Sequence, residues 1–124
     1  MKLKEKINTW IFDLDNTLYS ADSGIFQQVH KLMGDFISKN LNMDMPEAKE
    51  LQAKYYKQHG TTLRGLMDNH GIDPDYFLDA VHALDYSIVS SNKILNQELN
   101  KLEGRKIIYT NANKKHAIDV LDRI

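Results

Sequence analysis

Apolar residues recur along this chain at two spacings, and each spacing predicts a different kind of element. Two short apolar runs, WIF at residues 10–12 and IIY at residues 107–109, are rich in aromatic and β-branched side chains. Such runs are typical of fully buried strands in a parallel sheet. Between them apolar residues recur every three or four positions, as on one face of a helix. The pattern predicts a strand, a series of helices and a second strand, which is an α/β fold.

Residues that start and stop helices divide the middle of the chain. Asp44 is suited to cap one helix, with Pro46 in its first turn, and Asp73 stands in the same relation to Pro74. Gly104 is expected to end the last helix before the second strand with a left-handed cap. Five helices are predicted here, over about residues 25–37, 45–60, 62–69, 74–84 and 94–102.

One crossover helix is enough to connect two neighbouring parallel strands, and this segment has five predicted helices. We therefore expect a helical insertion over residues 21–91, placed over the carboxyl ends of the strands. The spacing of apolar residues over 114–124 predicts one further helix after the second strand. Two parallel strands cannot bury both faces of a sheet and close an α/β core. Two explanations stay open: a fragment of a longer protein, which we favour, or self-association with a partner chain.

Composition excludes several classes of protein. A length of 124 residues, with 42% hydrophobic and 27% charged residues, suits one compact globular domain. A formal net charge of -1 provides no basic field for nucleic acid or for an anionic membrane. The sequence contains no cysteine, which excludes disulfides and thiolate metal sites. No leader or bilayer-spanning run is visible, so we expect a cytoplasmic protein whose partners include neither nucleic acid nor a membrane.

Two aspartates alternate directly after the first strand, in the segment DLDNT. Ligands of a doubly wound sheet bind beyond the carboxyl ends of its strands, which is where Asp13 and Asp15 are expected. Asp13 could then act as a nucleophile, and Asp15 as a general acid and later a general base. A carboxylate attacks an anionic phosphate only with a hard cation between them, and Mg²⁺ suits an all-oxygen site. The alternative is that both aspartates merely shape a turn.

The second strand ends in a similar polar pair. Thr110 offers a hydroxyl and Asn111 an amide, just before a helix whose N-terminus favours an anion. Both could bind the oxygens of a phosphoryl group. The alternative for Thr110 is that it closes the strand and caps the next helix.

The segments IFDLDNTLY at residues 11–19 and IIYTNA at residues 107–112 resemble the first and second motifs of the haloacid dehalogenase superfamily of phosphohydrolases. The insertion resembles the mobile cap of that superfamily. Within it, HGTTLRGLMDNHGID at residues 59–73 resembles the pyrimidine 5′-nucleotidase branch. The resemblance spans nearly the whole chain. It implies a partial Rossmann-like core of parallel strands, in residues 1–20 and 92–124, with a helical cap inserted at 21–91.

The resemblance also implies roles for individual residues. Asp13 would form an aspartyl-phosphate, and Asp15 would protonate the leaving alkoxide and activate water. The carboxylate of Asp13 and the backbone carbonyl of Asp15 would bind Mg²⁺, and Thr110 would bind the phosphoryl oxygen. An acid at position 15 favours a phosphatase over a dehalogenase. The implied substrate is a small phosphate ester, in this branch a pyrimidine nucleoside 5′-monophosphate.

Two parts of the family's site have no counterpart in this sequence, namely the lysine of the third motif and the acidic pair of the fourth. Lys114 and Lys115 follow the second motif too closely to replace that lysine, and we expect them on a solvated helix face. The chain alone is therefore expected to be inactive. The alternative function is a non-catalytic binding or assembly module derived from such a phosphatase.

Substrate selection is expected to depend on the cap. Arg64 and Thr62 are candidates for contacts to a nucleotide, although Arg64 could equally be a surface residue. Tyr19 could gate the cleft or pack beneath the cap. His116 is predicted in the first turn after the second motif, close enough to a bound phosphate to be considered, but we expect it at the surface, with the other histidines structural. The aromatic residues Tyr55, Tyr56 and Phe77 are expected in the core of the cap, with a base-stacking platform as the alternative.

Overall fold

A computed structural model describes residues 7–124 and shows a mixed α/β protein that is mostly helical. The charged start, residues 1–6, where we expect no leader, lies outside the described residues. The described elements are β1 (Thr9–Phe12), α1 (Ile25–Asn40), α2 (Met45–His59), α3 (Thr62–His70), α4 (Pro74–Val81), α5 (Lys93–Asn100), β2 (Arg105–Ile108) and α6 (Lys114–Arg123). Within this described range, no helix has both the length and the apolar character needed to cross a bilayer.

The chain divides into two compact units. Of the described residues, the first unit comprises those up to Ile25 together with Asp85–Ile124, and the second comprises Phe26–Leu84. The first unit therefore contains the sheet with α5 and α6, and the second contains nearly all of α1 together with α2–α4. The unit boundary lies a few residues inside the insertion predicted at 21–91. That the second unit acts as a cap stays a prediction.

The two strands are parallel neighbours, with Thr9 opposite Arg105 and Phe12 opposite Ile108. β2 begins two residues earlier than predicted, and Tyr109 follows its end, although the amide of Tyr109 still donates to the carbonyl of Phe12 at 2.8 Å. The pairing brings the carboxyl ends of both strands to the same edge. The loops that follow these strands are therefore neighbours.

The expectation that the first strand is fully buried is wrong. Side chains of β1 alternate between exposed and partly buried, and Ile11 is 68% exposed. The physical reason is that two strands are too few to carry cover on both faces, so alternate side chains reach solvent. The strand pattern identified the element correctly but overestimated its burial.

Gly104 has a different role from the predicted helix cap. α5 ends at Asn100, four residues earlier. Gly104 has a φ of 103°, and a Cβ at this position would overlap the backbone carbonyl of Asn8. Because the neighbouring amide of Arg105 donates to that same carbonyl at 2.8 Å, glycine is required where β2 approaches the start of β1.

The second unit confirms the predicted helix starts. Asp44 caps α2 by accepting from the amide of Glu47 at 2.9 Å, and Asp73 caps α4, which ends at Val81 rather than near residue 84. In the core of this unit the rings of Phe36 and Phe77 meet edge to face, with centroids 5.1 Å apart.

The close contact between α2 and α3 depends on Tyr55 and Gly65. Tyr55 is buried, and a Cβ on Gly65 would overlap its ring, so only glycine allows this approach. Tyr55 and Phe77 are core residues as predicted. The same prediction is wrong for Tyr56, which is 65% exposed because it lies on the solvent side of α2.

Candidate functional site

The loop after β1 is a tight turn built around Leu14. Leu14 is fully buried, and its carbonyl accepts from the amides of Thr17 and Leu18 at 3.1 and 2.9 Å. Asn16 adopts a left-handed conformation with a φ of 60°, which asparagine tolerates better than most residues. Burial of Leu14 fixes the loop, and the two aspartates on either side of it are held with it.

Asp13 lies on the exposed side of this loop. The hydroxyl of Thr17 donates to its Oδ2 at 2.9 Å. This contact restricts rotation of the carboxylate while leaving the group accessible to solvent. A carboxylate held in this way can act as a nucleophile or as a metal ligand.

Asp15 occupies a more enclosed position, with 22% of its side chain exposed. Its Oδ1 accepts from the hydroxyl of Tyr19 at 2.6 Å and lies 2.8 Å from Nε2 of His116. Its Oδ2 lies 3.4 Å from the hydroxyl of Thr110, which follows β2. The structure therefore brings Asp15 and Thr110 together from the two strand ends.

His116 is the functional candidate whose placement the sequence interpretation missed. We expected it at the surface, but its side chain is only 1% exposed, between Asp15 and the hydroxyl of Tyr86, which lies 2.7 Å from Nδ1. The signal in the sequence was its spacing: His116 lies four residues before Val120 on α6, and both face the interior. The charged residues around His116 in the sequence obscured this pattern.

The phenols of Tyr19 and Tyr86 both remain protonated at neutral pH. Burial, and then the hydrogen bond and the charge of Asp15, raise the pKa of Tyr19 well above its usual range. Burial, followed by the charges of Asp119 and Asp15, raises the pKa of Tyr86 to about 12. Each hydroxyl is therefore a stable hydrogen-bond donor.

In the turn after β2, Thr110 and Asn113 have different hydrogen-bonding roles. Thr110 does not cap α6, because the cap is Asn113, whose side chain accepts from the amide of His116 at 2.9 Å. The hydroxyl of Thr110 instead accepts from the amide of Ala112 at 3.1 Å and lies near Asp15. Asn111 is exposed at the same turn. Both residues stay candidates for phosphate contacts.

Lys114 and Lys115 are exposed, as predicted.

The predicted substrate contacts of the insertion lie in the second unit. Arg64 is exposed, with its Nε 3.8 Å from a carboxylate oxygen of Asp68. Thr62 is buried, and its hydroxyl donates to the carbonyl of Gln52 at 3.0 Å, which gives it a structural role in joining α3 to α2. Contact of either residue with a substrate stays a prediction.

Comparison with known proteins gives a distant relative. No family model matches the chain. The chain is similar to Phosphate metabolism protein 8 of Saccharomyces cerevisiae (strain ATCC 204508 / S288c), with 28% identity over 121 residues. The aligned region covers 88% of this chain and 37% of that protein. The chain thus spans little more than a third of the length of this relative.

Proposed function

We propose that this chain carries the nucleophile and the general acid of a Mg²⁺-dependent phosphomonoester hydrolase of the haloacid dehalogenase type. The observation that carries the proposal is the meeting of Asp15 and Thr110 at one sheet edge, with the exposed carboxylate of Asp13 in the same loop. In this proposal the first unit is a partial Rossmann-like core and the second unit is its helical cap. Similarity to a phosphate metabolism protein supports the same class of substrate.

The proposed reaction proceeds in two steps on the residues of the first unit. The carboxylate of Asp13 attacks phosphorus, the ester bond breaks, and Asp15 protonates the leaving alkoxide. Asp15, now ionised, then takes a proton from a water that attacks the aspartyl-phosphate and releases inorganic phosphate. With substrate bound, the hydroxyl of Thr110, which donates to Oδ2 of Asp15 in the structure, donates instead to an oxygen of the transferring group.

The proposed cofactor is Mg²⁺. The carboxylate of Asp13 and the backbone carbonyl of Asp15 are hard oxygen donors in one loop, which suits an ion that retains several waters. Among residues 7–124 no group of three or more acidic or histidine side chains could hold a metal, so the remaining ligands would come from water, substrate or sequence outside this range. When bound, the ion lowers the repulsion between the Asp13 carboxylate and the phosphate.

The proposed substrate is a pyrimidine nucleoside 5′-monophosphate. The test compares hydrolysis of pyrimidine and purine monophosphates by the protein expressed from its complete gene, with Mg²⁺ present. Asp13→Asn should abolish hydrolysis, whereas Asp122→Asn, on an exposed position of α6, should leave it unchanged. Full activity in Asp13→Asn contradicts the proposal.

A second candidate function is a non-catalytic binding or assembly module. The exposed face of the sheet, where Ile11 is 68% exposed, favours it. The same assay separates the two functions: a non-catalytic module shows no hydrolysis by the parent protein that Asp13→Asn could remove.

A further inference from the structure

Three side chains form a hydrogen-bonded series that ends at Asp15. The hydroxyl of Tyr86 lies 2.7 Å from Nδ1 of His116, and Nε2 of His116 lies 2.8 Å from Oδ1 of Asp15. The rings of Tyr86 and His116 also pack at 5.5 Å between centroids. All three residues belong to the first unit.

We propose that His116 is a positioning residue that orients the carboxyl group of Asp15, and that Tyr86 orients His116 for this purpose. The proposal rests on the function proposed above, in which Asp15 is the general acid. Oδ1 accepts when Asp15 is ionised and also when the proton of Asp15 is on Oδ2, so in both states Nε2 of His116 carries the hydrogen and donates. The hydroxyl of Tyr86 can then donate to Nδ1 and hold the ring in the orientation that this contact requires.

The hydrogen bonds to Asp15 determine which of its two carboxyl oxygens exchanges the proton. Oδ1 accepts from both Tyr19 and His116, so two donors occupy its two lone pairs. Oδ2 accepts from the hydroxyl of Thr110 at the longer distance of 3.4 Å, on the side where the proposed phosphoryl group binds. Proton exchange with a leaving oxygen or a water therefore takes place at Oδ2. Without His116 the carboxyl would rotate more freely, because the terminal torsion of aspartate is broad.

A purely structural role for His116 predicts different kinetics. If the imidazole only satisfies a buried polar position, its loss lowers the amount of folded protein and affects every substrate equally. If it positions the general acid, its loss affects the substrates that need protonation of the leaving group. An alkoxide leaving group needs that proton, whereas p-nitrophenolate leaves without it.

The experiment compares kcat/KM for a nucleoside monophosphate and for p-nitrophenyl phosphate, using the protein expressed from its complete gene. This ratio includes no step after the first irreversible one, so the later role of Asp15 as a base does not contribute. His116→Asn, whose amide is too short to reach Asp15, should lower kcat/KM for the nucleotide by about tenfold or more and for the aryl ester by less than about twofold. His116→Gln, whose amide nitrogen can take the place of Nε2, should restore most of the nucleotide activity. Tyr86→Phe keeps the ring volume and should give the same selective loss, at about two- to fivefold.

The outcomes separate this inference from the proposed function. If His116→Asn lowers kcat/KM equally for both substrates, or lowers it for neither, the inference is overturned. The proposed function still holds in that case if the Asp13→Asn variant is inactive. Failure of His116→Gln to exceed His116→Asn also overturns it. Unchanged hydrolysis in Asp13→Asn overturns the proposed function, and the inference with it. Because the ratio of two substrates does not depend on the concentration of folded protein, partial unfolding of a variant does not obscure the result.

Discussion

The hydroxyl of Thr110 lies 3.4 Å from Oδ2 of Asp15, although 95 residues separate them in the chain. The parallel pairing of β1 and β2 produces this proximity, because it aligns Phe12 with Ile108 and brings the following loops to one edge. A phosphoryl group bound beside Asp13 would therefore meet a hydroxyl donor and a carboxyl group together.

From this relationship we predict that Thr110→Ala lowers the kcat of phosphoester hydrolysis by about 10²-fold, because one donor to the developing charge is lost. Thr110→Ser keeps the hydroxyl and should retain most of the activity. Steady-state kinetics with one nucleoside monophosphate measures both variants, in the protein expressed from its complete gene. Equal activities of Thr110→Ala and the parent protein would show that the hydroxyl contacts no reacting group.

Sequence patterns predicted the elements and the two strand-end loops because both depend on local signals. The apolar run before Asp13 and the capping residues Asp44 and Asp73 act within a few residues of their own position. The contact between His116 and Asp15 could not be predicted, because it depends on how α6 packs against the rest of the first unit. The exposure of Ile11 was missed for a related reason, since burial depends on how many strands and helices cover a face.

Stability of the second unit should depend on Gly65. Gly65→Ala places a methyl group against the ring of Tyr55, and we expect a loss of about 1–3 kcal/mol in the free energy of unfolding. Gly34→Ala is the matched control, because the nearest atom there is the flexible thioether sulfur of Met45 at 3.2 Å. Urea unfolding followed by circular dichroism compares the variants. An equal or smaller loss in Gly65→Ala would contradict the close contact of α2 and α3.

Stability should also decline at alkaline pH through Tyr86. Burial raises its pKa to about 12 in the folded protein from the ordinary tyrosine value of 10.0. A raised pKa contributes stability that is fully present below pH 10 and is lost as the pH rises toward 12. Tyr86→Phe cannot ionise, so its unfolding midpoint should fall less over this range than that of the parent.

Thermal unfolding across the same pH range measures the effect, with Tyr109→Phe as a control at a hydroxyl that is exposed to solvent. At neutral pH, Tyr86→Phe should lose about 1 kcal/mol through its missing hydrogen bond to His116. An alkaline decline in Tyr86→Phe as steep as in the parent would show that this phenol is not shielded from solvent.

Selectivity for nucleotides should depend on Arg64. Its exposed ion pair with Asp68 contributes little to stability, so Arg64→Ala should fold normally. We expect its KM for pyrimidine monophosphates to rise by about tenfold, with p-nitrophenyl phosphate unaffected. Lys57→Ala removes an exposed positive charge elsewhere in the second unit and serves as the control. Unchanged selectivity and KM in Arg64→Ala would exclude it from the substrate site.

The most direct test of the central claim is to locate the covalent phosphoryl group. Asp15→Asn should still transfer phosphate from p-nitrophenyl phosphate, because this leaving group needs no proton, but should not activate the water that completes the reaction. Peptide mapping by mass spectrometry after an acid quench should then find the added phosphoryl group on Asp13, and none when Asp13→Asn is combined with it. Phosphate on any other residue, or steady release of nitrophenol with no phosphorylated protein, would contradict the assignment of Asp13 as the nucleophile.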